Sequence, residues 1–175
     1  MISYDVGNLP YSVFASDLDG DTDKDLAVAN YGSATVSVLE NNGDGTFAPK
    51  VDYGTGVNPQ SVFASDLDGD GDFDLATANF VSNTVSVLKN NGDGTFTTKV
   101  DYGTGSSPSS VFASDLDGDG DKDLAVTNAS LLINTVSVLK NNGNGTFAAK
   151  LDYATGFRPV SVFASDLDGD GDKDL

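Results

Sequence analysis

The sequence predicts an all-β fold class built from repeated four-stranded antiparallel units, and three observations carry that expectation. The first is a period: Asp-Leu-Asp-Gly-Asp begins at residues 17, 66, 115 and 166 of the 175-residue chain, at spacings of 49, 49 and 51. The second is alternation of side chains with the strand period. Val85 and Val87 oppose Thr84 and Ser86, and Phe96, Thr98, Val100 and Tyr102 oppose Lys99 and Asp101. The third is turn chemistry between such stretches, at Asn42-Gly43, Asn91-Gly92 and Asn142-Gly143, where the residue types supply the positive φ that a tight reversal needs. No stretch of useful length shows helical periodicity.

Each element of the unit follows in order. In the second repeat, strands are expected at residues 61–67, 75–78, 84–88 and 95–102, with an acidic loop after the first and a turn at 90–94 before the last. The third repeat carries two extra residues in Ala-Ser-Leu-Leu-Ile-Asn at 129–134, and an insertion there marks a loop. Four-stranded units of this length suit the blades of a β-propeller, which bury both sheet faces against their neighbours. Phe-Ala-Ser recurs at 14–16, 63–65, 112–114 and 163–165, placing small residues where sheets crowd toward an axis. Separate domains of 49 residues fit less well, since units that small rarely hold a core alone. One partial propeller domain is therefore expected over 1–175, with repeats at about 12–60, 61–109 and 110–160 and partial repeats at 1–11 and 161–175.

Charge narrows the function. There are 27 acidic residues against nine basic ones, a formal charge of −18, which argues against nucleic acid as a partner. Twenty of the 27 acids fall in four short segments, at 17–25, 66–74, 115–123 and 166–174, and such clustering needs a counter-ion. Cysteine is absent, so neither disulfides nor thiolate metal sites are available. No apolar run approaches the roughly 20 residues that span a bilayer, and Met1-Ile2-Ser3-Tyr4 lacks the pattern of a signal peptide, so no membrane insertion is expected.

The acidic segments place carboxylates at every odd position of a nine-residue loop. They are Asp17, Asp19, Asp21, Asp23 and Asp25; Asp66, Asp68, Asp70, Asp72 and Asp74; Asp115, Asp117, Asp119, Asp121 and Asp123; and Asp166, Asp168, Asp170, Asp172 and Asp174. Ca²⁺ takes six to eight oxygens at roughly 2.3–2.6 Å, a shell that closely spaced aspartates and a main-chain carbonyl can wrap. Side-chain oxygens are expected from positions 1, 3, 5 and 9 and the carbonyl from position 7. Mg²⁺ suits the loop less, because it demands octahedral geometry and keeps its waters. Four Ca²⁺ would move the formal charge from −18 to −10. The sites are not expected to be equal: Thr22 stands where Gly71, Gly120 and Gly171 supply positive φ, and after Asp174 only Leu175 follows. The Asn41-Asn42-Gly43-Asp44-Gly45 segment and its counterparts carry too few acids for a metal and are expected as turns.

Asp-Leu-Asp-Gly-Asp-Gly-Asp-Lys-Asp-Leu at 115–124, followed by Ala-Val-Thr-Asn, and Thr-Val-Ser-Val-Leu-Lys-Asn-Asn-Gly-Asp-Gly-Thr-Phe at 84–96 resemble the FG-GAP/VCBS repeat. The resemblance covers nearly the whole chain. It implies blades similar to those of integrin α subunits and some fungal lectins, calcium in the loop between the first two strands, and an extracellular or cell-surface parent protein. The glycine-rich link between such blades is similar to residues 53–59 and 102–108, with departures at Ala154 and Asp5.

In a four-stranded meander the first and third connections share one end, and the second connection and the link share the other. The acidic loops thus occupy one face. The opposite face holds the residues that differ most among the repeats: Tyr31, Phe80 and 131–133 in one loop, and Val57-Asn58, Ser106-Ser107 and Phe157-Arg158 in the other. Tyr31, Phe80, Phe157 and Arg158 are the candidates for contact with a glycan or protein ligand. Catalysis is not expected. Histidine and cysteine are absent, and the acids outside the loops, Asp5, Glu40, Asp44, Asp52, Asp93, Asp101 and Asp152, mostly repeat around the units, whereas an active site breaks repeat symmetry.

The expected function is a calcium-binding scaffold or binding module, a fragment or engineered repeat array that closes a ring by self-association. The alternatives are a lectin or adhesion propeller and, less favoured, a carbohydrate-active domain. Residues 2–7 align on 51–56 as a lone outer strand, and 161–167 form a lone inner strand. Two chains of about 3.6 repeats give about seven, a common propeller size, so a homodimer is expected.

Overall fold

The computed structural model describes residues 2–175; Met1, the first residue of the N-terminal partial repeat, lies outside the described residues. The strands are β1 (Pro10–Ser16), β2 (Asp25–Asn30), β3 (Thr35–Leu39), β4 (Val51–Gly54), β5 (Pro59–Ser65), β6 (Asp74–Asn79), β7 (Thr84–Leu88), β8 (Val100–Gly103), β9 (Pro108–Ser114), β10 (Asp123–Ala129), β11 (Asn134–Leu139) and β12 (Leu151–Ala154). They form three four-stranded antiparallel sheets, β1-β2-β3-β4, β5-β6-β7-β8 and β9-β10-β11-β12, each a meander in sequence order. The sheets pack on one another but do not close into a ring among the described residues. No helix among them is long and apolar enough to cross a membrane.

The core lies between sheets. Leu18, Ala27, Ala29, Val36 and Val38 of the first meet Val62, Ala64, Leu75, Leu88 and Phe96 of the second. Leu67, Ala76, Ala78, Val85 and Val87 meet Val111, Ala113, Leu124, Val126, Leu139 and Phe147 in the same way. Alanines on the middle strands let the sheets approach while valines fill the intervening space. Two aromatic series pin these joints. Along the first strands, Phe14, Phe63, Phe112 and Phe163 follow one another with ring centroids 4.7, 4.8 and 4.8 Å apart. At the outer strands, Tyr53 meets Phe96 edge-on at 5.2 Å and Tyr102 meets Phe147 at 5.3 Å. Tyr4 repeats the pairing on Phe47 at 5.3 Å, and Gly7 donates its N–H to Ser37 Oγ (3.2 Å) as Gly56 and Gly105 do to Ser86 and Ser137 (both 3.0 Å). The N-terminal segment thus occupies the place of an outer strand against the first sheet. Beyond that segment, along the first strand, the same face of the first sheet is open: Val13 is 60% exposed, against 4% and 3% for its equivalents Val62 and Val111.

Two expected boundaries move. The first strand of the second repeat ends at Ser65, because Leu67 turns to donate its N–H to Asp74 Oδ2 (3.0 Å) and joins the acidic loop. The last strand begins at Val100, since only the isolated Asn90↔Phe96 bridge pairs before it and Thr97 N–H bonds to the carbonyl of Lys89 (2.8 Å). The connecting turn is also longer than a two-residue hairpin. Asn91 N–H reaches Thr95 O (2.9 Å), Gly92 and Gly94 take φ of +84° and +76°, and the Asp93 carboxylate accepts Thr95 N–H (3.0 Å).

A polar network that sequence patterning did not reveal runs through each sheet. Asn30, Asn79 and Asn128, all fully buried, donate to Ser37, Ser86 and Ser137 at 2.8 Å. Those hydroxyls donate onward to Asp52, Asp101 and Asp152 at 2.5, 2.6 and 2.6 Å. Alternation sets the serine on the face opposite the valines. In a sheet covered on both faces it is interior, and so it needs partners.

Candidate functional site

Each acidic loop is wound by its own carboxylates. Asp66 accepts N–H bonds from Gly69 (2.7 Å) and Gly71 (3.1 Å), and Asp70 accepts from Asp72 (3.0 Å). Asp74, fully buried at the start of β6, accepts from Leu67 (3.0 Å) and from Asn90 (2.8 Å), tying the loop to the neighbouring turn of its sheet. Asp25 does the same with Leu18 (2.7 Å) and Asn41 (2.8 Å), and Asp123 with Leu116 (3.1 Å) and Asn141 (2.9 Å). In the fourth loop Asp174 is held by Leu167 (2.9 Å). Thr22 carries φ +81° where Gly71, Gly120 and Gly171 carry +98°, +97° and +98°.

This winding gathers negative charge. One oxygen each from Asp17, Asp19 and Asp25 lie within 4.8 Å of one another, as do those of Asp66, Asp68 and Asp70, of Asp115, Asp117 and Asp123, and of Asp166, Asp168 and Asp174. Positions 1 and 3 thus join in every loop, with position 9 in three and position 5 in the second. The position-7 side chains lie apart, against the next turn: a Cβ added to Gly43, Gly92 or Gly143 would come within 2.8, 2.8 or 2.7 Å of Asp23, Asp72 or Asp121.

The surroundings fit a divalent cation. Asp68 Oδ1 is buried with no hydrogen-bond donor, which leaves a carboxylate oxygen without any counterpart inside an acidic cluster. The Asp74 carboxyl is pushed up to about 6: burial raises it most, the charges of Asp68 and Asp70 add to the rise, and N–H bonds from Asn90 and Leu67 hold it back. Burial likewise raises Asp19 and Asp123. Oxygen-only clusters of this kind can coordinate a hard divalent ion, which would reverse these unfavourable terms.

On the opposite face a cleft of about 790 Å³ is lined by Tyr11, Gln60, Phe80, Leu131, Arg158 and Val160, with several serines between them. Phe80 and Arg158 therefore come together. Tyr31 stands beside the cleft with its ring 5.4 Å from Tyr11, while Phe157, 73% exposed, is not part of its lining. Leu131, Leu132 and Ile133 are 77%, 90% and 70% exposed. Sequence reasoning missed Tyr11, Gln60 and Val160. Their shared position also varies among the repeats, as Tyr, Gln, Ser and Val, so the same test applied one residue after each conserved-looking proline finds them.

The fold and site define a class: an all-β repeat module with one acidic, cation-type loop per unit. The chain belongs to the FG-GAP-like repeat family, which matches residues 17–77, 66–126 and 115–175. Each match begins at an acidic loop and runs through the next one. A search of curated proteins finds no match. Among solved structures, the chain is similar to an Agrocybe aegerita lectin whose structure describes specific recognition of non-reducing terminal N-acetylglucosamine. The identity is 28%, covering 92% of this chain and 44% of that one, with a TM-score of 0.61. The chain thus spans less than half of the lectin's length. A weaker likeness, at 22% identity and TM-score 0.45, covers 83% of this chain and 7% of a chain in the Photorhabdus luminescens Tc holotoxin pore.

Proposed function

We propose that this chain is a calcium-dependent, sugar-recognising part of a β-propeller lectin, a binding module and not an enzyme. The observation that carries the reading is the likeness along 92% of the chain to a lectin that recognises terminal N-acetylglucosamine. In this reading the three sheets are successive propeller blades, with repeats at about 12–60, 61–109 and 110–160. Ca²⁺ is held in each loop by the carboxylates at positions 1, 3, 5 and 9 and the main-chain carbonyl at position 7. Sugar contact falls to Tyr31, Phe80, Phe157 and Arg158 on the other face, where ring faces cover the apolar side of a pyranose and the guanidinium donates to its hydroxyls. The setting is extracellular, where calcium modules work at affinities of about 10⁻⁴–10⁻³ M.

Calorimetry tests it. Calcium-loaded protein is expected to bind N-acetylglucosamine or a glycan ending in it, without releasing sugar, and Phe80→Ala or Arg158→Ala is expected to weaken that binding. No binding to either probe at millimolar concentration overturns the sugar reading, and turnover overturns the non-enzymatic one.

The open face at Val13 favours a second reading beside the first, that a further blade from a second copy of the chain covers it and completes the ring as a homodimer. Light scattering in calcium is expected to give about twice 18.0 kDa; a stable monomer overturns it.

A further inference from the structure

Glu40, Lys89 and Lys140 hold one structural position. Each follows the last leucine of the third strand of its sheet, Leu39, Leu88 or Leu139, and each carbonyl accepts an N–H at 2.8 Å, from Ala48, Thr97 or Ala148. The two lysines reach the third position of their own acidic loops, and the glutamate borders the same corner with the opposite charge. Lys89 Nζ lies 3.1 Å from Asp68 Oδ2, and Lys140 Nζ lies 2.6 Å from Asp117 Oδ2. In the first sheet the same corner holds a carboxylate: a Cβ added to Gly94 would lie 3.1 Å from Asp19 Cβ and 3.4 Å from Glu40 Oε1, so both residues flank the same small space at Gly94 of the next sheet.

We propose that Lys89 and Lys140 are tethered cations that stand in for calcium at the third loop position, whereas Glu40 leaves the first loop dependent on metal for its neutralisation. The inference rests on the calcium reading above. Without metal, an ammonium beside Asp68 or Asp117 offsets one charge of a carboxylate group confined within 4.8 Å. With a divalent ion in place, the same ammonium faces a like charge and must withdraw. Lysine therefore steadies the metal-free loop and weakens the metal-bound one, and glutamate does the reverse. Lys89 Nζ also donates to the carbonyl of Asn144 in the next sheet, so its withdrawal would be felt at the joint as well as in the loop.

The test uses the full chain with calcium itself, titrated against a chromophoric chelator, and thermal melts in excess chelator. Lys89→Met keeps the apolar stem and removes the charge. It is expected to tighten one calcium site about fivefold, the upper end for an exposed ion pair, and to lower the melting temperature in chelator. Glu40→Lys is expected to do the opposite on both readouts. Lys99→Met removes an equal charge from the outer strand, where it pairs with Asp101, and is expected to leave calcium affinity unchanged. Opposite signs with and without metal are not produced by a residue that merely supports the fold. Unchanged or weaker calcium binding in Lys89→Met overturns the proposal, as does an equal gain in Lys99→Met. If the wild-type chain binds no calcium at all, the calcium reading falls and takes this one with it.

Discussion

Inside the second sheet the Thr77 hydroxyl donates to Asn79 Oδ1 at 3.2 Å, with both residues fully buried. Val28 and Val126 stand at the same position in the other sheets, and there Asn30 Oδ1 and Asn128 Oδ1 are buried with no donor. Valine and threonine are nearly equal in volume, so Val126→Thr or Val28→Thr supplies the missing donor without repacking. Each is expected to stabilise by about 1 kcal/mol, and Thr77→Val to cost about 1–2 kcal/mol by orphaning Asn79. Urea unfolding decides it; a Val126→Thr protein less stable than wild type would contradict the argument.

Thr22 takes a left-handed φ of +81°, which places its Cβ against the backbone. Thr22→Gly is expected to stabilise the chain by about 1 kcal/mol and to strengthen calcium binding at the Asp17 loop, whereas Gly71→Thr loses a similar amount. If titration shows the Asp17 loop unaffected by Thr22→Gly, the backbone does not limit that site.

Gly45, Gly94 and Gly145 are equivalent turn glycines with φ of +82°, +76° and +70°, yet only the last two face a preceding sheet. A Cβ at Gly145 would meet Lys89 Cε at 2.8 Å and Asp68 Cβ at 3.0 Å, while one at Gly45 meets nothing within 4 Å. All three alanine variants carry the left-handed cost of about 1 kcal/mol. Gly145→Ala and Gly94→Ala are expected to lose a further 1–3 kcal/mol, roughly, from overpacking at the joint. Equal melting temperatures for the three variants would show that the joint yields freely.

Burial pushes the Asp52 carboxyl up, but the Lys50 ammonium and the Ser37 hydroxyl outweigh it and hold it below its ordinary value of 3.8; Asp152 is held down in the same way by Lys150 and Ser137. A depressed carboxylate stabilises the fold fully above its unfolded-state value and loses that contribution as pH falls through the folded one. Asp52→Asn and Asp152→Asn are therefore expected to narrow their stability gap to wild type below about pH 4. A gap that stays constant down to about pH 2, measured by urea unfolding, would rule this out.

Calcium removal is expected to lower the melting temperature sharply. With a site Kd of about 100 µM, the tight end of extracellular calcium modules, 1 mM Ca²⁺ adds about 1.4 kcal/mol per site through mass action. Asp68→Asn or Asp117→Asn is expected to lose more of this than the same change at Asp19, whose loop carries Thr22 at a left-handed position that the other loops give to glycine. An unchanged melt in excess chelator would remove the metal from the account.

Much of this was legible in the sequence because the period fixes the register. Once Asp17, Asp66 and Asp115 align, strand number, sheet order and the grouping of positions 1 and 3 in each loop follow from local geometry. The Phe14 to Phe163 series was not legible in the same way. Phe-Ala-Ser read as small residues near an axis, although the phenylalanine rings make the contact between first strands. Ser86 was legible only in part, since alternation sets it opposite the valines but does not show that its hydroxyl passes a hydrogen bond from Asn79 on to Asp101. The pairing of Lys89 with Asp68 lay beyond a pattern-based reading altogether, because it joins residues 21 positions apart through a side chain that patterning treats as surface.

Each joint between sheets is fastened twice, along the first strands by successive phenylalanines and along the outer strands by a tyrosine edge on a phenylalanine. A hinge pinned at two radii cannot open or close by sliding, so the angular step from one sheet to the next is set by the girth of those rings. Curvature is then a property of a single pair of neighbours. An array of these units bends by the same increment at every joint, and that increment is written into one Phe-Phe and one Tyr-Phe distance.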